Sequence, residues 1–248
     1  MKFSYFAVAA ILPLALVACG DKTTENAVDS KAASTSAVAA NPAGTDWTKV
    51  MTATPEGGFR IGNPNAKVKL LEFASLTCPH CREFHEAAMP TIRDKYVASG
   101  NVSYEFRNFV LNGPDFAASM LARCQGAEPF FGLLTAFMED QVAWTEPFTK
   151  MSPEDNKRLS ALPEDKQVAA LAQLGKLDEY VRARGIPRAK FDQCLADKTQ
   201  LDALTKLRAE ATDKYKLTGT PGFIINGETQ ESVYSWADLE PKLKAKLL

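Results

Sequence analysis

Two cysteines three positions apart, Cys78 and Cys81, are the residues of this chain best suited to chemistry. They follow an apolar, strand-like run at 70–74, and Pro79 stands where a helix would begin. Proline is tolerated at that position because its missing N–H would be unpaired there anyway. The free N–H groups and the dipole of a helix N-terminus favour a thiolate over a thiol. The pattern predicts a strand, a tight turn and a helix with Cys78 at its N-terminus, and a dithiol that can switch between reduced and oxidised forms.

A zinc half-site and a purely structural disulfide are the alternatives for this cysteine pair. A structural zinc site usually needs four Cys or His ligands. The chain has two histidines, His80 and His85, and no second C-x-x-C motif. We therefore expect neither a metal nor a cofactor, although His85 lies four residues beyond Cys81 on the same side of the predicted helix.

Residues 1–18 have the pattern of a secretory signal peptide, with Lys2 near the start and a nearly continuous apolar run after it. That run is too short to span a bilayer comfortably, although an uncleaved anchor is the alternative. The segment Leu16-Val17-Ala18-Cys19 resembles the lipobox of bacterial lipoproteins, in which the cysteine is lipidated after cleavage. We expect acyl chains on Cys19 to hold the protein to a membrane of the cell envelope, facing the periplasm.

Residues 19–45 contain no aromatic residue and no apolar periodicity, so they cannot bury enough surface to fold. We interpret this stretch as a flexible tether that follows the lipid. The remaining 200 or so residues are enough for one domain with a substantial core. The formal net charge is −1 at pH 7. Its charge runs are mixed in sign, which argues against a nucleic-acid partner.

The cysteine count indicates a second pair. If Cys19 is lipidated, Cys78, Cys81, Cys124 and Cys194 remain of the five in the chain. Among the three connectivities, one keeps the local pair switchable and joins Cys124 to Cys194. An exported setting favours this structural disulfide, and two buried free thiols are the alternative.

Apolar periodicity predicts a βαβ unit around the first cysteine pair. Its strands lie at 68–74 and 102–109, and its helix lies at 79–96 with a kink at Pro90. A short strand at 59–61 precedes the unit.

A long helical region follows, from 114 to 216, and it includes one helix over 130–144. Glycines and prolines, Pro147 among them, divide this region into segments. The chain then closes with a strand, a hairpin turn and a capped helix, at 223–226, at 227–228 and at 236–247 with Ser235 as the cap.

This order of motifs resembles the DsbA family of thiol–disulfide oxidoreductases. The resemblance rests on the βαβ unit with C-x-x-C, the helical insertion, and Thr-Pro-Gly-Phe-Ile-Ile-Asn-Gly at 220–227. More narrowly, the chain is similar to the alphaproteobacterial DsbA-like group with a second cysteine pair. The resemblance implies an α/β, thioredoxin-like fold, a mixed sheet flanked by helices, with an inserted all-helical subdomain. Its two parts would be 46–113 and 201–248, and the insertion would be 114–200.

The resemblance also implies roles for residues around the dithiol. Cys78 matches the exposed nucleophile and Cys81 its buried partner, while Pro79 and His80 match the dipeptide that stabilises the Cys78 thiolate. Glu72 matches a buried acid beneath the site that can accept a proton from Cys81. A surface glutamate is the alternative, but the apolar neighbours of Glu72 indicate a buried strand.

Pro221 matches a proline that is cis in this fold and faces the disulfide, and the backbone of Thr220 would pair with a substrate strand. Strong oxidants of the family carry valine before this proline, and threonine occurs in relatives that isomerise disulfides. Those isomerases also have a dimerisation domain, for which the short segment before Phe59 leaves no room. We therefore expect a monomeric oxidase.

The expected function is the introduction of disulfides into reduced exported polypeptides. By analogy with the family, a quinone-linked, DsbB-like membrane protein would reoxidise the dithiol. An isomerase or reductase is the first alternative. The second is a non-enzymatic, lipid-tethered envelope module that holds peptides at Thr220 and Pro221, or that carries copper on Cys78, Cys81 and His80.

Overall fold

A computed structural model of the chain describes residues 44–248, apart from the side chain of Asp165. The predicted signal peptide, the lipidation site Cys19 and nearly all of the tether lie outside these described residues. Between 44 and 248, no helix is both long and apolar enough to cross a bilayer.

The described residues form one mixed sheet of six strands in the order β1-β2-β4-β3-β5-β6. The neighbours β3 and β4 are parallel, and the other neighbouring pairs are antiparallel. The strands are β1 Met51–Ala53, β2 Phe59–Gly62, β3 Val68–Ala74, β4 Val102–Asn108, β5 Gly222–Ile225 and β6 Glu228–Thr229.

Most of the helices lie between β4 and β5 in the chain. A 3-10 turn at Trp47–Lys49 precedes the sheet, and a π-helical turn at Ile92–Val97 follows the first helix. The α-helices are α1 Pro79–Thr91, α2 Gly113–Arg123, α3 Ala127–Glu139, α4 Gln141–Thr149, α5 Pro153–Ser160, α6 Glu164–Leu174, α7 Leu177–Arg182, α8 Arg188–Leu195, α9 Lys198–Asp213 and α10 Trp236–Leu247.

The βαβ unit is formed by β3, α1 and β4, as predicted. A parallel pair of strands needs a crossover connection, and α1 with the π-helical turn supplies it. On β3, Glu72 lies between Phe106 of β4 and Phe223 of β5 in the register of the sheet. The ring of Phe84 on α1 packs on Phe223 with centroids 4.5 Å apart, which places the start of α1 beside the start of β5. The predicted α/β fold with a mixed sheet and an inserted helical region is confirmed.

The predicted helix over 130–144 is in fact two helices. Helix α3 ends at Glu139 and α4 begins at Gln141, because the backbone of Asp140 leaves the helical range (φ −90°, ψ 12°). The Asp140 carboxylate accepts hydrogen bonds from the Tyr180 hydroxyl at 3.0 Å and from Arg184 at 2.5 Å, which hold the break in place. The apolar periodicity runs through the break, so the sequence alone does not reveal it.

Three smaller features of the structure also differ from the expectations. The kink predicted at Pro90 takes the form of a change from α- to π-helix two residues later, since Pro90 cannot donate a backbone hydrogen bond. Pro147 lies inside α4 instead of between helices. Strand β1 was not predicted, because three residues are too few to show an alternating pattern.

A disulfide joins Cys124, at the end of α2, to Cys194 on α8. The two cysteines are 70 residues apart, so the bond closes most of the helical insertion into one loop. Next to it, the buried Arg123 guanidinium donates to Asn108 at 3.0 Å and to the Gly57 carbonyl oxygen at 2.7 Å. The insertion is therefore attached to the sheet beside its own crosslink.

Replacing both Cys124 and Cys194 by alanine should lower the free energy of unfolding by about 4 kcal/mol, since a loop of this length loses that much chain entropy when it is closed. Guanidinium unfolding of the double variant and the parent measures the difference. The double variant Cys78→Ala/Cys81→Ala is the matched control because its cysteines enclose only a short loop. Equal midpoints for the parent and the Cys124/Cys194 variant would contradict the prediction.

Candidate active site

Cys78 is the N-cap residue of α1, and Pro79 occupies the first helical position. Both Cys78 and Cys81 are free thiols in this structure. The exposed fraction is 7 % for Cys78 and 0 % for Cys81. The expectation of an exposed Cys78 is therefore wrong in degree, because the segment before β5 covers most of it, with the Thr220 carbonyl oxygen 3.4 Å from its sulfur. The remaining opening favours attack at Cys78 over Cys81.

The environment of Cys78 favours its ionised form. A hydrogen bond from the Cys81 thiol makes the largest contribution to lowering the pKa of Cys78 from 9.0 to about 5. The Thr220 hydroxyl and the backbone N–H groups of Cys81 and His80 add further hydrogen bonds, while partial burial opposes them. Thr220 acts on the sulfur in both states, since its carbonyl oxygen accepts from the thiol and its hydroxyl stabilises the thiolate.

Cys81 has the opposite behaviour. Burial raises the pKa of Cys81 well above 9.0, and its hydrogen bond to Cys78 and the negative charges of Glu72 and Cys78 raise it further. Two thiols one helical turn apart thus differ sharply in acidity. This asymmetry makes Cys78 the better nucleophile near neutral pH and also the better leaving group from a mixed disulfide.

Glu72 lies on β3 beneath the dithiol and is only 2 % exposed. Burial raises the pKa of Glu72 from 4.5 to about 8, and the Cys78 charge adds to this rise. The Tyr104 hydroxyl, which donates to Glu72 Oε2 at 2.6 Å, lowers that pKa and limits the shift. The Glu72 carboxyl group is therefore largely protonated at pH 7, and its negative charge, when it ionises, raises the pKa of Cys81.

The peptide bond between Thr220 and Pro221 is cis. Pro221 is buried and directly precedes β5, whereas Thr220 is partly exposed. The turn therefore places a partly accessible backbone segment against the Cys78 sulfur.

The side chain of His80 is exposed, and its Nδ1 lies 3.2 Å from the Glu83 carboxylate. In this structure, His80 contributes to the Cys78 thiolate through its backbone N–H. The resemblance to the DsbA family implies this effect for the dipeptide Pro79-His80, and here the contributing atom of His80 is its backbone nitrogen.

His85 is buried, and its Nε2 lies 3.2 Å from the Thr135 hydroxyl. Burial lowers the pKa of His85 from 6.5 to about 4. The residue lines a cavity of about 590 Å³ between α1 and α3, together with Met89 and Phe131. Among residues 44–248, no group of three or more His, Cys, Asp or Glu side chains is arranged to hold a metal ion.

Two residues of the helical insertion hold the loop before Cys78, and the sequence did not indicate either of them. Asp115 on α2 accepts hydrogen bonds from the Ser75 hydroxyl at 2.5 Å and from the Leu76 N–H at 3.0 Å. Gln141, the first residue of α4, donates from Nε2 to the carbonyl oxygens of Leu76 at 2.8 Å and Cys78 at 3.0 Å. Both side chains are buried.

Comparison with known proteins agrees with this geometry. Residues 54–245 match the family model described as thioredoxin. The chain belongs to the thioredoxin family. A protein of Rickettsia prowazekii with the provisional name protein-disulfide oxidoreductase is 31% identical over 189 residues, which cover 75% of this chain and 60% of that relative. The match spans about 60% of the length of this relative and of two others from Rickettsia species.

Solved structures are also similar to this chain. The crystal structure titled protein-disulfide isomerase from Novosphingobium aromaticivorans is 30% identical, with a TM-score of 0.73, and the match covers 80% of this chain and 99% of that one. The fold of alpha-DsbA1 from Wolbachia pipientis matches with a TM-score of 0.59 over 81% of this chain and 94% of that one, at 24% identity. The resemblance of this thioredoxin-family chain to DsbA proteins is confirmed.

Proposed function

We propose that this protein is a thiol–disulfide oxidoreductase that oxidises polypeptide thiols through Cys78 and Cys81. The observation that carries the proposal is the placement of the Cys78 sulfur at the N-terminus of α1, where the Cys81 thiol, two backbone N–H groups and Thr220 surround it. A structural disulfide needs no such stabilisation of one thiolate over the other. The name of the Rickettsia prowazekii relative, a protein-disulfide oxidoreductase, supports the same activity.

The reaction starts from the Cys78–Cys81 disulfide. A substrate thiolate attacks the Cys78 sulfur, a substrate–Cys78 bond forms, the Cys78–Cys81 bond breaks, and Cys81 leaves with the electron pair. Glu72, largely protonated at pH 7, supplies a proton to the departing Cys81 thiolate. In the opposite direction, during reoxidation, the Glu72 carboxylate accepts that proton.

A second thiolate of the substrate then attacks the substrate sulfur of the mixed disulfide. The substrate leaves with a new disulfide, having lost two electrons, and Cys78 leaves as a thiolate. A pKa of about 5 makes Cys78 a good leaving group for this step. The dithiol enzyme must next pass its two electrons to an oxidant, and a quinone-linked, DsbB-like membrane protein is the partner that we propose.

The substrates that we propose are reduced, extended segments of exported polypeptides. The accessible backbone at Thr220, held against the cysteine by the turn at Pro221, suits a segment that pairs with it as an added strand. The cell envelope, facing the periplasm, is the proposed location, with a lipid on Cys19 after removal of residues 1–18 and a tether at 19–45. The Cys124–Cys194 disulfide supports an oxidising compartment.

We further propose a monomer in which 46–113 and 201–248 form the thioredoxin-like part and 114–200 the helical insertion.

Disulfide isomerisation is the second candidate function. Thr220 favours it, as does the name of the Novosphingobium relative. In an isomerase, the Cys78 thiolate of the reduced protein would attack a wrong substrate disulfide.

The reduction potential of the dithiol tests the direction of the reaction. Thiolates with a pKa near 7 in thioredoxin and 3.5 in DsbA accompany potentials of about −270 and −120 mV. Because Cys78 has a pKa of about 5, we expect a potential between those two values. Equilibration with glutathione buffers, followed by tryptophan fluorescence, measures it. A potential at or below that of thioredoxin would indicate a reductase and contradict the proposed oxidase.

A matched pair of assays separates the two candidate functions. An oxidase restores activity to reduced ribonuclease only when it is supplied in the disulfide form. An isomerase restores activity to scrambled ribonuclease when it is supplied in the dithiol form.

A further inference from the structure

The loop from Ser75 to Cys78 is held by side chains of the helical insertion as well as by hydrogen bonds within the loop. The Leu76 N–H donates to Asp115 of α2, and the Leu76 carbonyl oxygen accepts from Gln141 of α4. Both backbone polar groups of Leu76 are thus bound by side chains 39 and 65 residues further along the chain. The position of this loop therefore depends on the insertion as well as on the sheet.

Gln141 also reaches the backbone of Cys78 itself. Its Nε2 lies 3.0 Å from the Cys78 carbonyl oxygen, which also accepts from the N–H of Arg82 at 3.2 Å. The second of these is the first hydrogen bond of α1. The carbonyl group of Cys78 thus points along the helix, and the N–H groups of His80 and Cys81 remain available to the sulfur.

The contact comes from the first residue after the break at Asp140. Because α3 ends at Glu139, Gln141 is the first residue of α4. The side chain of Gln141 is 4 % exposed, while the adjacent Val142 is 67 % exposed. A buried amide donor without an acceptor is costly, and the buried Nε2 of Gln141 finds both of its acceptors in this one loop.

We infer that Gln141 is a positioning residue of the redox site: its side-chain amide fixes the carbonyl groups of Leu76 and Cys78 and so keeps the first N–H groups of α1 directed at the Cys78 sulfur. The inference deepens the proposed function, since it assigns part of the control of the Cys78 thiolate to the helical insertion. Gln141 touches no reacting atom. It acts through the backbone of the residue that does.

The test replaces Gln141 with methionine, which has a similar length and no donor, and titrates the Cys78 thiolate by its absorbance at 240 nm. We expect the pKa of Cys78 to rise by about one unit, because fewer hydrogen bonds are directed at the sulfur. The rate of alkylation of the reduced protein at pH 5 should then fall about fivefold. The reduction potential should shift in the reducing direction.

Gln173→Met, at an exposed position on α6 of the same insertion, is the matched control and should retain the parent titration curve. Gln141→Glu preserves the size of the side chain but presents acceptors to two carbonyl oxygens, so its effect should exceed that of Gln141→Met. A folded Gln141→Met protein with the parent titration and potential would overturn the inference. Failure of both Gln141 variants to fold would also overturn it, because the role of Gln141 would then be structural.

These outcomes are independent of the proposed function. The thiolate titration and the potential need no substrate, so they test Gln141 even if the parent protein oxidises no polypeptide. The proposed function, in contrast, fails if the parent itself lacks thiol oxidation, whatever the Gln141 variants show.

Discussion

Changing Cys78 to serine should reduce the oxidation of a reduced dithiol peptide to the uncatalysed rate, a fall on the order of a thousandfold or more. The hydroxyl of serine is not ionised near neutral pH and cannot form the mixed disulfide. Changing Cys81 to serine should also stop turnover, but Cys78 should then accumulate a bound substrate, since the thiol that would release it is missing. Mass spectrometry of each variant, mixed with a peptide disulfide, detects the adduct.

The double variant Cys124→Ala/Cys194→Ala is the control for this experiment, because it removes two cysteines and leaves the dithiol site in place. Its activity should remain close to that of the parent under conditions in which it is folded. Oxidation by the Cys78→Ser protein at more than a tenth of the parent rate would show that Cys78 is not the nucleophile. An adduct on Cys78→Ser, and none on Cys81→Ser, would show that the two roles are reversed.

Changing Glu72 to glutamine should make the reduced protein more stable than the parent at high pH. The pKa of Glu72 is about 8 in the folded protein, and the ordinary value of 4.5 applies to the unfolded chain. Folding therefore favours the protonated form of Glu72. The stability from this group is complete below pH 4.5 and is lost as the pH rises through 8. With about 1.4 kcal/mol per pKa unit, the loss approaches an upper limit of about 5 kcal/mol above pH 8.

Glutamine cannot ionise, and its Oε1 can still accept the hydrogen bond from Tyr104, so the variant should lack this loss. Urea unfolding of both reduced proteins between pH 4 and 9 measures the difference, which should grow with pH and level off above 8. In the oxidised parent the Cys78 charge is absent, so the transition should move to lower pH. Parallel profiles for parent and variant would refute the buried, protonated state; Glu231→Gln, at an exposed position, is the control.

The sequence predicts the parts of the site whose geometry is local. Cys78, Pro79 and Cys81 lie within one helical turn, and proline at the first helical position fixes where that turn begins. Glu72 lies on the strand that leads into it, and its apolar neighbours indicate burial. Each of these predictions depends on contacts over a few residues, which spacing and residue type can reveal.

The other contacts depend on how distant segments meet. Gln141 and Asp115 reach Leu76, in the loop before Cys78, across 65 and 39 residues, and neither lies in a distinctive pattern. At the break between α3 and α4, the Asp140 carboxylate is bound by Tyr180 of α7 and by Arg184 just after α7, which are 40 and 44 residues away. The direct contact between Thr220 and Cys78 required the resemblance to a known family, since 142 residues separate them.

The sheet ends on both sides in very short strands, with three residues in β1 and two in β6. A long edge strand would offer unpaired backbone N–H and C=O groups to a partly folded polypeptide, and the two chains could then aggregate together. If this protein binds polypeptides before they have folded, its short edge strands give those polypeptides few backbone groups to pair with. Substrates would then bind reversibly beside the Cys78 sulfur and be released, instead of forming aggregates with this protein.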